Sequence, residues 1–180
     1  YEVPPAFFEE IMGSHLKYSC GWFDENTTSL DAAEENMPKL YVERLGIQNH
    51  QRVLDLGCGW GSFTLFAADK FPSSNFVAVS NSNEQIEFIN NTAKARSLRN
   101  VQAIKQDMND LFLEGSFDRI ISIEMFEHMR NYGALLKKLS QHLLKDGKML
   151  VHIFTHRDHP YPYEERGPSD WMSKYFFTSG

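Results

Sequence analysis

Three side chains that can exchange protons stand close together in the stretch IEMFEHM, which contains Glu124, Glu127 and His128. Two glutamates three positions apart share one face of a helical turn, and a histidine titrates near neutral pH. Such groups can take a proton from a substrate or hold a cationic one. The stretch therefore indicates acid and base chemistry, although a surface glutamate beside a buried structural histidine would show the same pattern.

A second candidate feature is the stretch VLDLGCGWGSF, in which Gly57, Gly59 and Gly61 follow an apolar run that contains Asp55. Glycines permit tight turns and let a ligand lie directly against the backbone. The G-x-G-x-G spacing differs from the G-x-G-x-x-G fingerprint of dinucleotide-binding proteins. That class also has an acid at the second strand's end, where the stretch VSNSNEQ has Ser80 and Asn81 and no carboxylate until Glu84. The pattern disfavours a nicotinamide-dependent oxidoreductase.

The elements that must position these residues alternate between strand and helix from residue 52 onward. Apolar runs predict five strands: Val53–Leu56, Phe76–Val79, Val101–Ile104, Ile120–Ile123 and Met149–Phe154. Strands separated by helices imply an α/β fold in which helices cover both faces of a parallel sheet. The first strand-to-helix turn, here the glycine stretch, is the favoured ligand site of such a sheet.

The sequence of residues 1–50 predicts a mainly helical segment before that sheet, which we call the lead-in. We expect its first helix to end at a Gly13 cap, and Ser29 to cap a second helix that Pro38 kinks or divides.

Two further helix ends are expected within the sheet region. Ser82 and Gln85 predict a capping box, and Gly147 is expected to end the helix before the fifth strand.

Composition limits the partners and the compartment. The formal net charge is -6 and no basic run stands out, which argues against nucleic-acid binding. The two cysteines, Cys20 and Cys58, suit a reducing compartment. No apolar stretch approaches the roughly 18 residues of a membrane span. We expect a soluble cytoplasmic protein with no transmembrane segment, for which peripheral membrane contact stays open.

The glycine stretch resembles the first motif of S-adenosylmethionine-dependent methyltransferases, and QDMNDL, FDRIISIEMFEH and LLKDGKMLV follow at the spacing of that fold's later motifs. The stretches YEVPPAFFEEIMG, YSCGWF, SNEQ, FEHMRNY and HPYPYE narrow the likeness to cyclopropane fatty-acid synthases, mycolic-acid methyltransferases and coclaurine-type N-methyltransferases. The resemblance covers nearly the whole chain. It implies a class I, Rossmann-like methyltransferase, with residues 1–50 as a helical cap over the cofactor site and residues 51–180 as the core.

The resemblance also implies that S-adenosylmethionine is the cofactor. It implies that Tyr18 and Ser19 close over the cofactor, and that Gly57, Gly59 and Gly61 hold its methionine part, with Asp55 two residues ahead of them. It also implies that Ser80, Asn81 and Gln85 contact the ribose, and that Asp107 and Met108 border the adenine.

Two reactions stay open. In methylation of a small-molecule amine, Glu127 and His128 deprotonate and orient the amine while Glu124 favours its cation. In methylene addition to an unsaturated phospholipid acyl chain, the resemblance implies a bicarbonate base held by Cys20, Glu127 and His152. Glu124 and the serine-rich end of the second strand favour the amine, whereas His152 favours the lipid. Amine methylation is the preferred interpretation, and a non-catalytic cofactor-binding module is the alternative from another class.

Two expectations concern what is lacking. His152, His156 and His159 span a strand and a proline-rich loop, so no metal site is expected. A sheet of the implied class normally has a sixth and a seventh strand, so the final strands are expected to be missing and the isolated segment to self-associate through the open edge.

Overall fold

The computed structural model describes residues 4–159, 161, 163–175 and 177 of the 180-residue chain. Its strands are β1 (Arg52–Leu56), β2 (Asn75–Ser80), β3 (Val101–Lys105), β4 (Phe117–Ile123) and β5 (Leu143–His152). Its α-helices are α1 (Pro5–Ile11), α2 (Leu30–Leu45), α3 (Ser62–Lys70), α4 (Asn83–Ala95), α5 (Tyr132–His142) and α6 (Trp171–Tyr175), and a 3₁₀ turn covers Phe126–His128. Among these described residues, no helix is both long and apolar enough to cross a membrane.

The five strands form one parallel sheet in the order β3-β2-β1-β4-β5. Strand order reverses between β1 and β4, which opens a crevice at the carboxyl ends of these strands. The predicted α/β fold with a parallel sheet is confirmed. One connection differs from the prediction, because residues 106–116 between β3 and β4 hold turns instead of a helix.

Helices cover both faces of the sheet, as successive strand residues show. Leu54 and Ile120 pack in one apolar cluster with Leu139 of α5. Their strand neighbours Val53 and Ile121 point to the opposite face and pack in a second cluster with residues of α2 and α3. Each face of the sheet therefore has its own core, and the strand ends are left to form the crevice.

Helix α2 joins the lead-in to this core. Ser29 caps it as predicted, with its hydroxyl accepting a hydrogen bond from the Ala32 N–H at 3.2 Å. The predicted division at Pro38 is wrong, because the helix continues to Leu45. Met37 and Tyr41 are buried in the second cluster on either side of the proline, and this packing offsets the lost backbone hydrogen bond.

The predicted cap at Gly13 is wrong. Helix α1 ends with Met12 in an extended conformation as its cap. The Gly13 N–H instead donates to a carboxylate oxygen of Glu34 at 2.9 Å, and the His15 N–H donates to the other oxygen at 3.1 Å. Gly13 therefore serves to dock the chain onto α2.

The predicted helix end at Gly147 is wrong as well. Helix α5 stops at His142, and Gly147 lies within β5. The pairing of β4 with β5 shifts register in this region, because Phe117 pairs with Leu143 and Arg119 with Lys148. Gly147 therefore lies in an irregular part of a strand, where a glycine looks in sequence like one that ends a helix.

Candidate active site

A cavity of about 480 Å³ opens at the carboxyl ends of β1, β2 and β4. The predicted cofactor residues that line it are Tyr18, Ser19, Asp55, Gly57, Gly59, Ser80, Asn81, Gln85, Asp107 and Met108. Glu124 and His128 line it too, whereas Gly61, Cys20, Glu127 and His152 lie outside its lining. We call the part formed by residues 55–62 and 80–85 the glycine side, and the part at Glu124 and His128 the acid side.

The glycine turn bends sharply between β1 and α3. The N–H groups of Gly57 and Cys58 both donate to the carbonyl of Val79, at 2.9 and 3.0 Å, which ties the turn to β2. Gly59 has a φ of 54°, and a Cβ there would lie 3.1 Å from the Tyr18 ring. A residue with a side chain would therefore be strained in its backbone and would push the Tyr18 ring away from this turn.

Gly61 has a different use from its two neighbours. It caps α3 with a φ of 81°, and a Cβ there would meet Ile89 of α4 at 2.7 Å. The third glycine therefore permits helix packing behind the turn, outside the cavity lining.

Unpartnered polar atoms surround the turn. Asp55 is buried and accepts a hydrogen bond from the Thr64 hydroxyl at 2.7 Å through Oδ2. Within the described part of the chain, its Oδ1, the Trp60 Nε1 and the Ser62 Oγ are buried and have no partner. Burial raises the pKa of Asp55 to about 6. Buried polar groups are normally paired, and all three residues line this cavity, so the unmet acceptor and donors point to a polar ligand or ordered water at the turn.

The end of β2 is held by hydroxyl and amide groups. The Ser80 hydroxyl donates to Gln85 Oε1 at 2.6 Å and accepts from the Ser82 N–H at 3.1 Å. Ser82 Oγ accepts from the Gln85 N–H at 3.4 Å, so half of the predicted capping box is present. The other half is absent, because the Gln85 side chain accepts a hydrogen bond from Ser80. The Ser82 N–H donates to the Ser80 hydroxyl in its place.

Glu124 lies in a strained backbone conformation. Its φ is 50°, which a residue with a side chain rarely adopts, and its N–H donates to the carbonyl of His152 at 2.7 Å. Glu124 precedes the 3₁₀ turn that contains Glu127, so the prediction that both glutamates share one helical face is wrong. Strain of this kind is found where the surrounding structure fixes a functional side chain.

Glu127 and His128 are both shifted in pKa by their surroundings. Glu127 Oε1 accepts a hydrogen bond from the Phe154 N–H at 3.0 Å, and its Oε2 is buried without a partner in the described chain. Burial raises the pKa of Glu127, and the negative charge of Glu124 adds to the rise. Burial lowers the pKa of His128, which favours the neutral imidazole.

Cys20 and His152 meet Glu124 next to the acid side. Cys20 Sγ lies 3.7 Å from His152 Nε2, and Glu124 Oε1 lies 4.0 Å from the same nitrogen. The Cys20 N–H donates to Glu124 Oε1 at 3.4 Å. The carboxylate beside Cys20 and His152 is therefore that of Glu124, whereas Glu127 holds the Phe154 backbone.

The other predicted histidines lie elsewhere. The rings of His156 and His159 are 4.6 Å apart in the segment after β5 and contact Tyr161. His152 does not join this pair, and its ring instead contacts Tyr41, Cys20 and Glu124.

Sequence reasoning missed two residues near the acid side. Lys17 lines the cavity, is 6% exposed and contacts the Ser19 hydroxyl. Burial lowers the pKa of this lysine. The Tyr41 hydroxyl lies 2.5 Å from His152 Nδ1. The position of Lys17 directly before Tyr18 was a usable signal, but nothing in the sequence links Tyr41 to a residue 111 positions away.

Comparison with known proteins agrees with this architecture. The mycolic acid cyclopropane synthetase family matches residues 1–180. The chain belongs to this family. Within it, the chain is 42% identical to (S)-coclaurine N-methyltransferase of Thalictrum flavum subsp. glaucum over all 180 residues, and 27% identical to cyclopropane-fatty-acyl-phospholipid synthase of Escherichia coli (strain K12). It covers 50% and 44% of these two proteins, so it spans about half the length of the curated relatives it matches.

Solved structures of the family show the same fold. A crystal structure of coclaurine N-methyltransferase bound to N-methylheliamine and SAH superimposes with a TM-score of 0.92 at 41% identity, covering 99% of this chain and 53% of that one. The mycolic acid cyclopropane synthase CmaA1, complexed with SAH and CTAB, gives 0.77 at 28% identity, covering 84% of this chain and 53% of that one. The predicted Rossmann-like methyltransferase fold and the predicted family are confirmed.

Proposed function

We propose that the protein carrying this chain is an S-adenosylmethionine-dependent methyltransferase that methylates an amine nitrogen of a small molecule. The observation that carries this proposal is that residues with buried polar atoms that lack partners in the described chain, at the glycine turn, line the same cavity as Glu124 and His128 on the acid side. Similarity to a solved N-methyltransferase bound to SAH and a methylated amine supports it.

The glycine side suits the amino-acid end of the cofactor. Among the described residues, the buried Asp55 Oδ1 is an acceptor without a partner and suits an ammonium group, and the buried Trp60 Nε1 and Ser62 Oγ are donors without partners and suit a carboxylate. The backbone of Gly57 and Gly59 leaves space for the chain between these groups. When bound, S-adenosylmethionine supplies an electrophilic methyl group on its sulfonium sulfur.

The remaining contacts follow the lining of the cavity. Ser80, Asn81 and Gln85 present hydroxyl and amide groups for the ribose hydroxyls, and Asp107 and Met108 line the end where adenine would lie. Tyr18 covers the glycine turn and Ser19 contacts Lys17 beside it.

The acid side suits a protonated amine. The carboxylate of Glu124 attracts the ammonium form of the acceptor, and neutral His128 takes its proton, which leaves a nitrogen lone pair for in-line attack on the methyl group. Glu127 accepts a hydrogen bond from the Phe154 N–H outside the cavity lining, and its charge balances the imidazolium that forms on the adjacent His128. The rate then depends on alignment and proton transfer by this chain's own residues.

The test is label transfer by the full-length protein. It receives methyl-labelled S-adenosylmethionine with a mixed pool of small-molecule amines and unsaturated phospholipids, and products are separated by extraction and mass. We expect label in an amine that gains one methyl group, and loss of labelling in Glu127→Gln. Cofactor binding by the same variant is the control for folding.

One observation favours a second candidate. Cys20 Sγ and His152 Nε2 lie 3.7 Å apart, and these are two of the residues that the lipid reaction would use to hold bicarbonate. A product in which an acyl chain has gained the mass of one methylene, formed in greater yield when bicarbonate is added, would establish cyclopropanation and overturn the amine proposal. Cofactor binding with no labelled product from either pool would favour a non-catalytic module.

We also propose a cytoplasmic location. Both cysteines are free, with Cys20 exposed and Cys58 buried, and free thiols suit a reducing compartment.

A further inference from the structure

Three side chains with metal-binding atoms meet beside the acid side, and each comes from a different part of the chain. Cys20 belongs to the lead-in, Glu124 follows β4 and His152 ends β5. Their sulfur, carboxylate oxygen and imidazole nitrogen all lie within 4.8 Å of one another. We propose that Cys20, Glu124 and His152 form a binding site for a zinc ion.

The distances between these atoms suit a single tetrahedral ion. Ligand atoms that lie 2.0–2.3 Å from zinc in a tetrahedron are about 3.3–3.6 Å from one another. Cys20 Sγ and Glu124 Oε1 lie 3.7 and 4.0 Å from His152 Nε2. The third pair, Cys20 Sγ and the Glu124 carboxylate, lies within 4.8 Å, so side-chain movements of up to about 1 Å close the set around an ion.

His152 is already oriented for this task. The buried hydroxyl of Tyr41 lies 2.5 Å from its Nδ1. When Nδ1 carries the proton and donates to the Tyr41 oxygen, Nε2 presents its lone pair to the side where Cys20 and Glu124 lie. A second hydrogen bond of this kind on a ligating histidine fixes the ring and raises metal affinity.

The ligand types and the exposure favour zinc among common divalent ions. A thiolate, an imidazole and a carboxylate form a mixed sulfur, nitrogen and oxygen set, which suits zinc and excludes the all-oxygen sites of calcium and magnesium. Thiolate and carboxylate together balance the charge of the ion, and the thiol proton leaves on binding. Cys20 is exposed, so an ion reaches the site from solvent, and three protein ligands leave a fourth position for water.

Occupancy of this site has a consequence for activity that rests on the proposed function. Glu124 cannot hold an ammonium acceptor while its carboxylate binds zinc. Zinc should therefore inhibit competitively with the amine and leave binding of S-adenosylhomocysteine unchanged.

The experiment uses Co²⁺ as a spectroscopic probe on the metal-free full-length protein, followed by displacement with Zn²⁺. We expect one equivalent of Co²⁺ to give a thiolate-to-cobalt charge-transfer band and the visible bands of a tetrahedral ion. Cys20→Ser should lose the charge-transfer band, and Tyr41→Phe should weaken binding about 10- to 100-fold. Cys58→Ala and His156→Ala are the matched controls and should keep the spectrum.

A further variant tests the charge of the site. The Lys17 ammonium acts on both Cys20 and Glu124, so Lys17→Met should bind Zn²⁺ more tightly. Retained binding of S-adenosylhomocysteine shows that each variant is folded. The proposal is overturned if Co²⁺ gives no thiolate band, if the band survives Cys20→Ser but not Cys58→Ala, or if His156→Ala removes the bound ion.

Discussion

The two sides of the cavity are built in different ways. On the glycine side the side-chain hydrogen bonds join near neighbours, such as Thr64 to Asp55, nine positions apart, and Ser80 to Gln85, five positions apart, while the backbone bonds of the turn to Val79 link the adjacent strands β1 and β2. The acid side is held by contacts between distant segments, since Cys20 and Glu124 are 104 positions apart. Local sequence therefore shapes the first side, whereas packing of the lead-in against β4 and β5 shapes the second.

This difference separates the expected effects of substitutions. Changes on the acid side should alter amine binding or the chemical step and leave cofactor affinity unchanged. Changes on the glycine side should alter cofactor affinity and stability together, because the turn is also part of the core between β1 and α3.

The largest effect is expected from His128→Asn. Loss of a general base typically costs about 10²- to 10⁴-fold in rate. We expect kcat to fall by this factor while the affinity for S-adenosylhomocysteine, measured by calorimetry, stays within about twofold. His142→Asn, at the far end of α5, is the control and should leave kcat unchanged. Equal losses in kcat and cofactor affinity would show that the two sides do not act separately.

The pH dependence sharpens the same assignment. Burial lowers the pKa of His128 below its usual 6.5, and the base must be unprotonated to act. The rate limb that belongs to His128 should therefore rise with pH, with a midpoint below 6.5, and should vanish in His128→Asn. A midpoint well above 6.5 in the pH profile of kcat would contradict the assignment.

Asp55→Asn should give the next largest effect. The folded pKa of Asp55 is about 6 against an ordinary value of 3.8, so the folded state holds this proton more tightly than the unfolded state. The stability from this group is complete below about pH 4 and is lost as pH rises through 6, a change of about 3 kcal/mol. Urea unfolding at several pH values should show that Asp55→Asn removes this loss.

The cofactor responds to Asp55 in the opposite direction. An ammonium group binds the ionised carboxylate, so wild-type affinity for S-adenosylhomocysteine should rise with pH between about 5 and 7. Asp55→Asn should bind more weakly and without that slope. An unchanged affinity in the variant would remove Asp55 from the cofactor site.

Gly59→Ala tests the turn itself. The left-handed backbone costs a residue with a side chain about 1–2 kcal/mol, and the new Cβ would press on Tyr18. We expect lower stability by about this amount and weaker cofactor binding by about tenfold, measured by chemical unfolding and calorimetry. Gly133→Ala, in α5 with no close neighbour to its Cβ, is the control and should be neutral or stabilising.

The smallest effect is expected at the cap of α2. Ser29→Ala removes the hydrogen bond to the Ala32 N–H and should lower the free energy of unfolding by about 1 kcal/mol. Kinetic constants should stay the same, because Tyr41 lies three turns further along the helix. Ser140→Ala, an exposed serine on α5, should change stability by less than about 0.5 kcal/mol.

The sequence predicted the parts of the molecule that depend on short-range patterns. Short apolar runs that alternate with helical patterns predicted five parallel strands, and the glycine spacing predicted the turn at the carboxyl end of β1. The ends of α1 and α5 were missed because Gly13 and Gly147 are used in tertiary contact and in an irregular strand. The left-handed backbone of Glu124 and the contact of Tyr41 with His152 were missed for the same reason, since both depend on which distant segments pack together.

The most direct test of the account is a binding measurement on Glu124→Gln in the full-length protein. Calorimetry would give the affinity for S-adenosylhomocysteine, and a second titration would give the affinity for the amine that accepts label. We predict that the amine binds at least about tenfold more weakly to the variant while the affinity for S-adenosylhomocysteine is unchanged. Weaker S-adenosylhomocysteine binding with unchanged amine binding would contradict the division of the cavity into two sides.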